Sequence, residues 1–446
     1  MVKAAASSSL KRPVPLTLPA PYKLLPVFSY LLDFKQNPTQ FFLDCLTESI
    51  KQNEEVTVLR LAFLEIILLY QPAHLQHVLQ DNQSNYLKSD IDKRGVGLLI
   101  GNGLVLNDGE SHREHRRLMM PCFAGDRLAA FVDDMAAIAE ASCSRLLAAG
   151  RAGQPVDMLE ETSLAALAII GQCGFGVDLA AQASAVGPAL KTCLEQGSDG
   201  SAASSSGRSS AGDILDLLLA ARYEDGTGLS NKDLRDECMT MVLAGHETSA
   251  NALAWLFYFL GKRPEVVAKL RAEVAQVVGP GPVQVEHLAH LVYTEAVLKE
   301  ALRLRPPVWL TDRQLAEDDV LPGGYQLKKG EYVAIAPFAY QHDPHIWPNA
   351  DQFDPDRFVD GGAAEQLPKF AWMPFGAGFR RCIGQTFAMY EMKVIVATWI
   401  RAFDVQTLSD AGLDGGVTLR PNGSLQILIN PLQPVASSEQ EATLVR

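Results

Sequence analysis

The stretch Phe375-Gly376-Ala377-Gly378-Phe379-Arg380-Arg381-Cys382-Ile383-Gly384 decides how this chain is read. One cysteine stands beside a pair of arginines and between glycines. An apolar run, Gln385 to Ile400, follows at once and reads as a helix. The thiol therefore falls at a helix N-terminus. There the macrodipole and free N–H groups favour negative charge and are expected to lower its pKa. Gly378 and Gly384 give the backbone freedom to pass close beside a flat group. Phe375 is placed to shield one side of the sulfur. A shielded, charged sulfur flanked by cations suits a metal ligand. A lone cysteine is more often a small buried hydrophobe, so the rest of the chain must carry the reading.

Composition sets the bounds. The chain has 446 residues and 48% hydrophobic content, ample for a large core, and length alone would allow two or three domains. Helix-forming runs dominate, and clear strands are few and short. Net charge is −13 and no basic run reads as a nucleic-acid patch, so no nucleic-acid partner is expected. Arginines do cluster, at Arg113, Arg116 and Arg117 and again at Arg380 and Arg381. In an acidic chain such islands suit a cofactor carboxylate or an acidic partner. The seven cysteines (45, 122, 143, 173, 193, 238, 382) are scattered and contain no Cys-x-x-Cys. That excludes zinc-ribbon and thioredoxin readings and fits a reducing compartment, so a soluble cytoplasmic protein is expected. No apolar run is long enough to span a membrane. Residues 1–32 lack acidic side chains and carry Lys3, Lys11, Arg12 and Lys23, a weak likeness to an organelle transit peptide.

Residues 1–21 are rich in Ser, Ala and Pro and read as a flexible leader. Val56 to Leu61 and Ile66 to Tyr70 read as paired strands, and Pro72 opens a short helix to about Gln80. Residues 84–107 hold four glycines around an apolar middle, Val96 to Ile100, and read as loop. A helix starts at Asp108-Gly109-Glu110-Ser111 and carries His112-Arg113-Glu114-His115-Arg116-Arg117. Four apart, His112 and Arg116 share a face. Taken alone, that pattern describes a solvated basic face. Residues 126–149 and 157–173 read as helices, and Ala183 to Glu195 as the start of another. Gly197 to Gly212 is almost all Ser, Ala and Gly, a linker composition.

Leu234 to Leu260 is the longest helical pattern, with Ser230 as the N-cap of this region. It is apolar nearly all round from Met239 and should be buried. Inside it lies a polar island, Ala244-Gly245-His246-Glu247-Thr248-Ser249. Thr248 can bond back to the carbonyl of Ala244 and open the helix, and Gly245 leaves space beside it. Glu247 and Thr248 would then edge a notch that carries protons through water. A satisfied polar pair at a helix kink fits equally well. Two amphipathic helices follow, Pro264 to Val278 and Leu291 to Leu304. The second contains Glu300-Ala301-Leu302-Arg303, alone a common surface pair. Short strands are expected around Arg313, at Tyr325 to Leu327 and at Tyr332 to Ile335. A Pro-rich stretch, 341–374, contains Phe353-Asp354-Pro355-Asp356-Arg357-Phe358, from which Arg357 is placed to reach Glu300 and Arg303. A strand, Gln426 to Ile429, and a polar tail, 435–446, end the chain.

Four signatures thus stand in order: residues 244–249, Glu-x-x-Arg at 300–303, 353–358, and the cysteine stretch at 375–384. Together they closely resemble the cytochrome P450 family of haem-thiolate monooxygenases. The cysteine stretch fits the family's Phe-x-x-Gly-x-Arg-x-Cys-x-Gly at every position. The resemblance implies a mainly α fold with small β-sheets, as one domain over residues 22–434. Haem b would lie between the long central helix and the helix after the cysteine. It implies Cys382 as the iron's thiolate ligand, within a loop framed by Phe375 and Gly384. It implies His112, Arg116, Arg313 and Arg380 as partners of the haem propionates. Glu247 and Thr248 match the family's acid–alcohol pair, which guides protons to bound O2. Glu300, Arg303 and Arg357 would form a buried network that fixes the cysteine loop. Arg113, Arg117 and Arg381 would face an electron donor, a ferredoxin or a flavoprotein reductase, which passes electrons from NAD(P)H. The substrate would be small and apolar, lined by Val96, Leu98, Leu99, Leu243, Ala244, Val308 and Trp309, and the protein a monomer.

One departure is large. The family carries two long antiparallel helices over the substrate chamber, between residues such as Phe175-Gly176 and Asp213-Ile214-Leu215. Here only the first is expected, and residues 197–212 replace the rest. Two other functions therefore stand beside monooxygenation: a haem protein impaired in turnover, and a peroxide-driven or isomerising relative. The Glu247–Thr248 pair argues against the last.

Overall fold

The computed structural model describes residues 10–15, 37–52, 55–61, 64–69, 71–181 and 212–432. The Ala183 to Glu195 helix, all but the last residue of the 197–212 stretch and the 435–446 tail lie outside them.

Five helices position the site. They are α1 (Gly109–Met119), α2 (Met158–Phe175), α3 (Asn231–Leu260), α4 (Val292–Leu304) and α5 (Gln385–Ile400). Helix α3 starts where the sequence places its cap: Ser230 accepts from the Asp233 N–H. It then runs through the main core, where Leu253 to Phe257 are all but inaccessible. Helix α2 packs along it closely enough that a Cβ on Gly245 would lie 3.1 Å from Ile170. The space expected beside Gly245 is thus used for helix packing. Helix α5 is buried from Glu391 to Ile400 and closes the same core through Trp399.

A sheet lies at the other end. Its strands are β1 (Val14–Pro15), β2 (Val56–Leu61), β3 (Leu64–Leu69), β4 (Tyr86–Leu87), β5 (Thr311–Leu315) and β6 (Tyr332–Ile335). They lie in the order β1-β2-β3-β6-β5-β4. Antiparallel β2 and β3 pair Val58 with Ile67, and β5 and β6 pair Arg313 with Val333. Residues 10–15 belong to this sheet's rim, although residues 1–21 read as a flexible leader. Arg12 donates to Gln326 O at 2.9 Å, and Val14 pairs with Thr57.

Residues 84–107 also depart from the loop reading. They contain short helices, Asp90–Gly95 and Gly97–Ile100, the first capped by the Ser89 hydroxyl. Such pieces are too short to show periodicity in sequence. Residues 341–374 remain irregular apart from single turns, as expected.

Candidate functional site

The cysteine loop is shaped by glycine where the backbone demands it. Gly376 and Gly378 have φ of 68° and 65°. A Cβ on Gly378 would fall 1.7 Å from Leu79 O, so this position admits no side chain. Gly384 is different: its φ of −88° is ordinary, and it serves as the N-cap of α5. Cys382 N–H donates to Phe375 O at 2.9 Å, which closes the loop on Phe375.

The Cys382 thiol corrects one expectation. Its pKa is raised rather than lowered. The residue is reached by solvent, but the sulfur is enclosed by protein on most sides. That enclosure penalises the thiolate more than the Gly384 N–H, Arg116 and Arg381 favour it. A coordinated metal ion would reverse the balance by deprotonating the thiol outright.

Four cationic or basic side chains named from sequence gather around Phe379. The His112 ring packs edge-on at 5.1 Å, and the Arg116 guanidinium lies 5.8 Å from the ring centre. His112, Arg313, Phe379 and Arg380 line one cleft. Burial, with Arg380 and Arg116 behind it, pushes His112 down to about 4, so it is neutral and free to donate one hydrogen bond. Arg313 is almost inaccessible and donates to Thr311 Oγ1 at 2.9 Å. Arg380 donates to Asn107 O at 2.9 Å and pairs with Asp108. The solvated-basic-face description of α1 therefore fails at His112 and His115, which are buried. Sequence reasoning missed Lys88. Its ammonium is enclosed beside this cluster, bonds Asp92 at 3.1 Å, and is pushed down to about 8 by burial and then Arg313. A single lysine in a loop gives no signal.

On α3, Thr248 Oγ1 donates to Ala244 O at 2.6 Å, the back-bond expected. Glu247 accepts from Thr418 Oγ1 at 2.5 Å, and Asn251 holds Thr418 in turn at 2.9 Å. Thr418 lies in the turn between β7 (Gly412–Gly415) and β8 (Leu419–Asn422), far away in sequence. His246 bonds Ser163 on α2 at 2.7 Å. Between Asp236 and Leu260, Ala244 is the single exposed residue. The accessible point of the buried part of this helix, among the described residues, thus adjoins the polar island. Of the side chains expected to line a substrate chamber, Leu98, Leu99 and Val308 are exposed and Trp309 is buried. It packs against Phe42 at 6.0 Å and donates to Gly416 O at 3.1 Å.

The Glu300–Arg303 pair is not on the surface. Both side chains are inaccessible and meet through two bonds of 2.7 and 2.8 Å. Arg357 lies 3.5 Å from Glu300 and donates to Asn349 O. Gln341, which sequence reasoning passed over, completes the network. It receives Met373 N–H at 3.0 Å and donates to the carbonyls of Leu302 and Arg303. The ion pair is thereby tied to the entrance of the cysteine loop. Outside this core, Arg113, Arg117 and Arg381 are exposed. They bond Glu110, Glu224 and Gln385 respectively.

Comparisons with known proteins place the chain among relatives of one family. The family profile described as Cytochrome P450 matches residues 19–198 and 198–414. Cyclooctatin synthase of Streptomyces melanosporofaciens is 30% identical, covering 92% of this chain and 94% of its own. Protein LUTEIN DEFICIENT 5, chloroplastic, of Arabidopsis thaliana is 30% identical over 86% of this chain and 76% of its own. Human cytochrome P450 4F2 is 30% identical, with 75% of each chain covered. The crystal structure of a cytochrome P450, CYP102L1, superposes with a TM-score of 0.81 at 23% identity, covering 95% of this chain and all of the other. The fold, the ordered motifs and the extent of these matches lead to one conclusion: the chain belongs to the cytochrome P450 family of haem-thiolate monooxygenases.

Proposed function

We propose that this P450 inserts one oxygen atom from O2 into a small apolar substrate, using electrons from a separate donor. The observation that carries the proposal is the fit of the residues to haem. One enclosed thiol at a helix start lies beside a cleft where His112, Arg313 and Arg380 converge. Lys88 and Arg116 adjoin them. A flat dianionic group with a thiophilic metal satisfies both features. Cys382 would hold the iron, and His112, Arg116, Arg313 and Arg380 the propionates. Bound there, haem supplies O2 binding and activation, which thiolate donation favours.

The chain's own residues do the rest. The Glu300–Arg303–Arg357 network and Gln341 hold the cysteine loop. Phe375 and Gly378 fix its path. Thr248 Oγ1 and the Glu247 carboxyl hold and pass protons by way of water on the O2 side, with Thr418 and Asn251 keeping Glu247 in place. Leu98, Leu99, Ala244 and Val308 offer an apolar surface, which favours an apolar substrate. Arg113, Arg117 and Arg381 offer exposed cations to an acidic ferredoxin or flavoprotein reductase fed by NAD(P)H.

The test is the reduced carbonyl spectrum, followed by turnover with a ferredoxin or flavoprotein donor. A thiolate-type band with hydroxylated product supports the reading. A band at the position of ordinary histidine-ligated haem rejects Cys382 as ligand. A second reading, a haem protein impaired in turnover, is favoured by the division of the family match into two segments that meet at residue 198. That division falls within the 197–212 stretch where the sequence departs from the family. A thiolate-type band with steady NADPH use but no product, across a panel of apolar compounds, would select it.

A further inference from the structure

Two acidic residues early in α3 are almost inaccessible, although neither stands in a recognised motif: Asp236 and Glu237. Both point at the loop that follows the Gly97–Ile100 helix. Asp236 accepts Asn102 N–H at 3.0 Å, and Glu237 accepts Leu104 N–H at 3.0 Å. Glu237 also takes the His115 ring at 2.6 Å, from α1. The loop lies tight against α3. A Cβ on Gly101, whose φ is 64°, would fall 2.3 Å from the Asp236 carboxylate. One on Gly103 would fall 2.2 Å from Thr240 Oγ1. The contact is built from side-chain carboxylates and backbone N–H groups, and glycine is required for both to approach.

Position gives this contact its meaning. Glu237 lies two turns before Ala244 on the same helix. His115 lies one turn or less from His112 and Arg116 on α1. The clamped loop follows the Gly97–Ile100 helix, which packs against α3 and carries the exposed apolar pair Leu98 and Leu99. We propose that Glu237, with His115 and Asp236, is a positioning latch that seats loop 101–107 and so fixes the apolar wall of the substrate side relative to the haem edge. None of the three touches the reacting atoms. Their effect passes through the loop.

The latch depends on charge. Charge-assisted bonds to backbone N–H groups are about twice as strong as neutral ones. His115 is held above its ordinary pKa by the Glu237 bond, against burial. The groups facing it are Glu237 and Asp233 on α3, Glu114 and His112 on α1, and Tyr223 with Asp225 nearby in the preceding turn. Most are acidic and favour the imidazolium. The raised pKa means that the latch is complete below the ordinary histidine pKa and loosens as pH rises through the folded value.

The test is hydrogen exchange on the holoprotein, read at the peptides containing the Asn102 and Leu104 amides. In Glu237→Gln, exchange there should rise by roughly tenfold or more relative to wild type, and peptides of α5 should not change. His115→Asn should produce a smaller rise. It also serves if Glu237→Gln does not fold, since it leaves the Leu104 bond in place. In wild type, the excess exchange at Leu104 should appear on the alkaline side, and Glu237→Gln should abolish that pH dependence. Unchanged exchange at both amides in either variant overturns the proposal. A second arm uses 1-phenylimidazole, an apolar azole, against imidazole itself. Affinity for the former should fall severalfold in both variants, while affinity for the latter stays constant. Equal losses for both azoles would mean damage to the haem seat and would reject the latch. This arm alone rests on the haem-thiolate reading. If the carbonyl spectrum rejects that reading, the exchange arm still decides the latch.

Discussion

The two faces of the proposed haem seat are held in different ways. On the cysteine side the key charges are paired out of water: Glu300 and Arg303 are inaccessible, Arg303 also donates to the carbonyls of Gln341 and Gln352, and Glu300 also accepts Asp354 N–H with Arg357 3.5 Å away. On the side of the central helix the key groups are half-buried, and single long-range bonds hold them, such as Thr418 on Glu247. The first arrangement suits a ligand loop that must not move. The second suits groups that must exchange protons with water while a substrate enters. The difference predicts that cysteine-side substitutions are read in haem retention and stability, and those on the central helix in coupling of electrons to product.

The largest effect should come from Cys382→Ser. On the proposed reading the thiolate-type carbonyl band disappears and turnover is lost, while the apoprotein unfolds at nearly the wild-type temperature. A retained thiolate-type band would remove Cys382 from the role. Arg303→Ala comes next. Leaving Glu300 buried without its partner should cost about 3–5 kcal/mol, measured by denaturant unfolding of the apoprotein, and haem should be lost more readily. A cost below about 1 kcal/mol would mean that the network is not what fixes the loop.

Much of this comparison could be read from the sequence, and the exceptions have physical causes. The helices α3 and α5 and the strands near Arg313 fall where periodicity and caps put them. Glu300-x-x-Arg303 could be placed only through the company of other motifs, because an i, i+3 pair looks the same exposed or buried. Gln341, Thr418, Lys88 and Glu237 were not legible. Each acts on residues that only the fold brings to it, such as Met373 for Gln341, Glu247 for Thr418, Arg313 for Lys88 and Leu104 for Glu237, and nothing local marks a lone polar residue for such a neighbour. The Cys382 pKa went the other way because the helix-start argument counted the favourable dipoles. The enclosure comes from the whole fold.

A third effect tests how completely the cysteine side is sealed. Glu391 on α5 is inaccessible, and among the described residues neither oxygen has a partner at full bonding geometry; the Ser249 hydroxyl lies beside it. Burial pushes its pKa up to about 8, only partly offset by Ser249. The sign follows. Between the ordinary carboxyl pKa and about 8 the unfolded chain ionises Glu391 and the folded one does not, so the unfolded state binds fewer protons and stability falls as pH rises. The slope approaches about 1.4 kcal/mol per pH unit inside that window and vanishes above it. Glu391→Gln removes the term. Relative to wild type it should gain stability steadily from pH 5 to 8, by a few kcal/mol in total, in denaturant titrations at several pH values. A difference independent of pH would show that Glu391 ionises in the folded state.

The smallest effect on stability, and the sharpest contrast, should come from Thr248→Ala. The substitution removes the 2.6 Å bond to Ala244 O from a half-buried site and substitutes a better helix former. Unfolding should change by no more than about 1 kcal/mol, and the carbonyl band should stay where it is. Product formed per NADPH consumed should nevertheless fall by about tenfold or more, because proton delivery by a positioned hydroxyl contributes on that scale. Thr248→Ser keeps the hydroxyl and should recover most of the coupling. That rescue separates the hydroxyl's chemistry from its back-bond to a helix that stays continuous here. If Ala and Ser variants couple alike, the Ala244–Thr248 bond serves the helix alone, and the contrast between the two faces loses its chemical half.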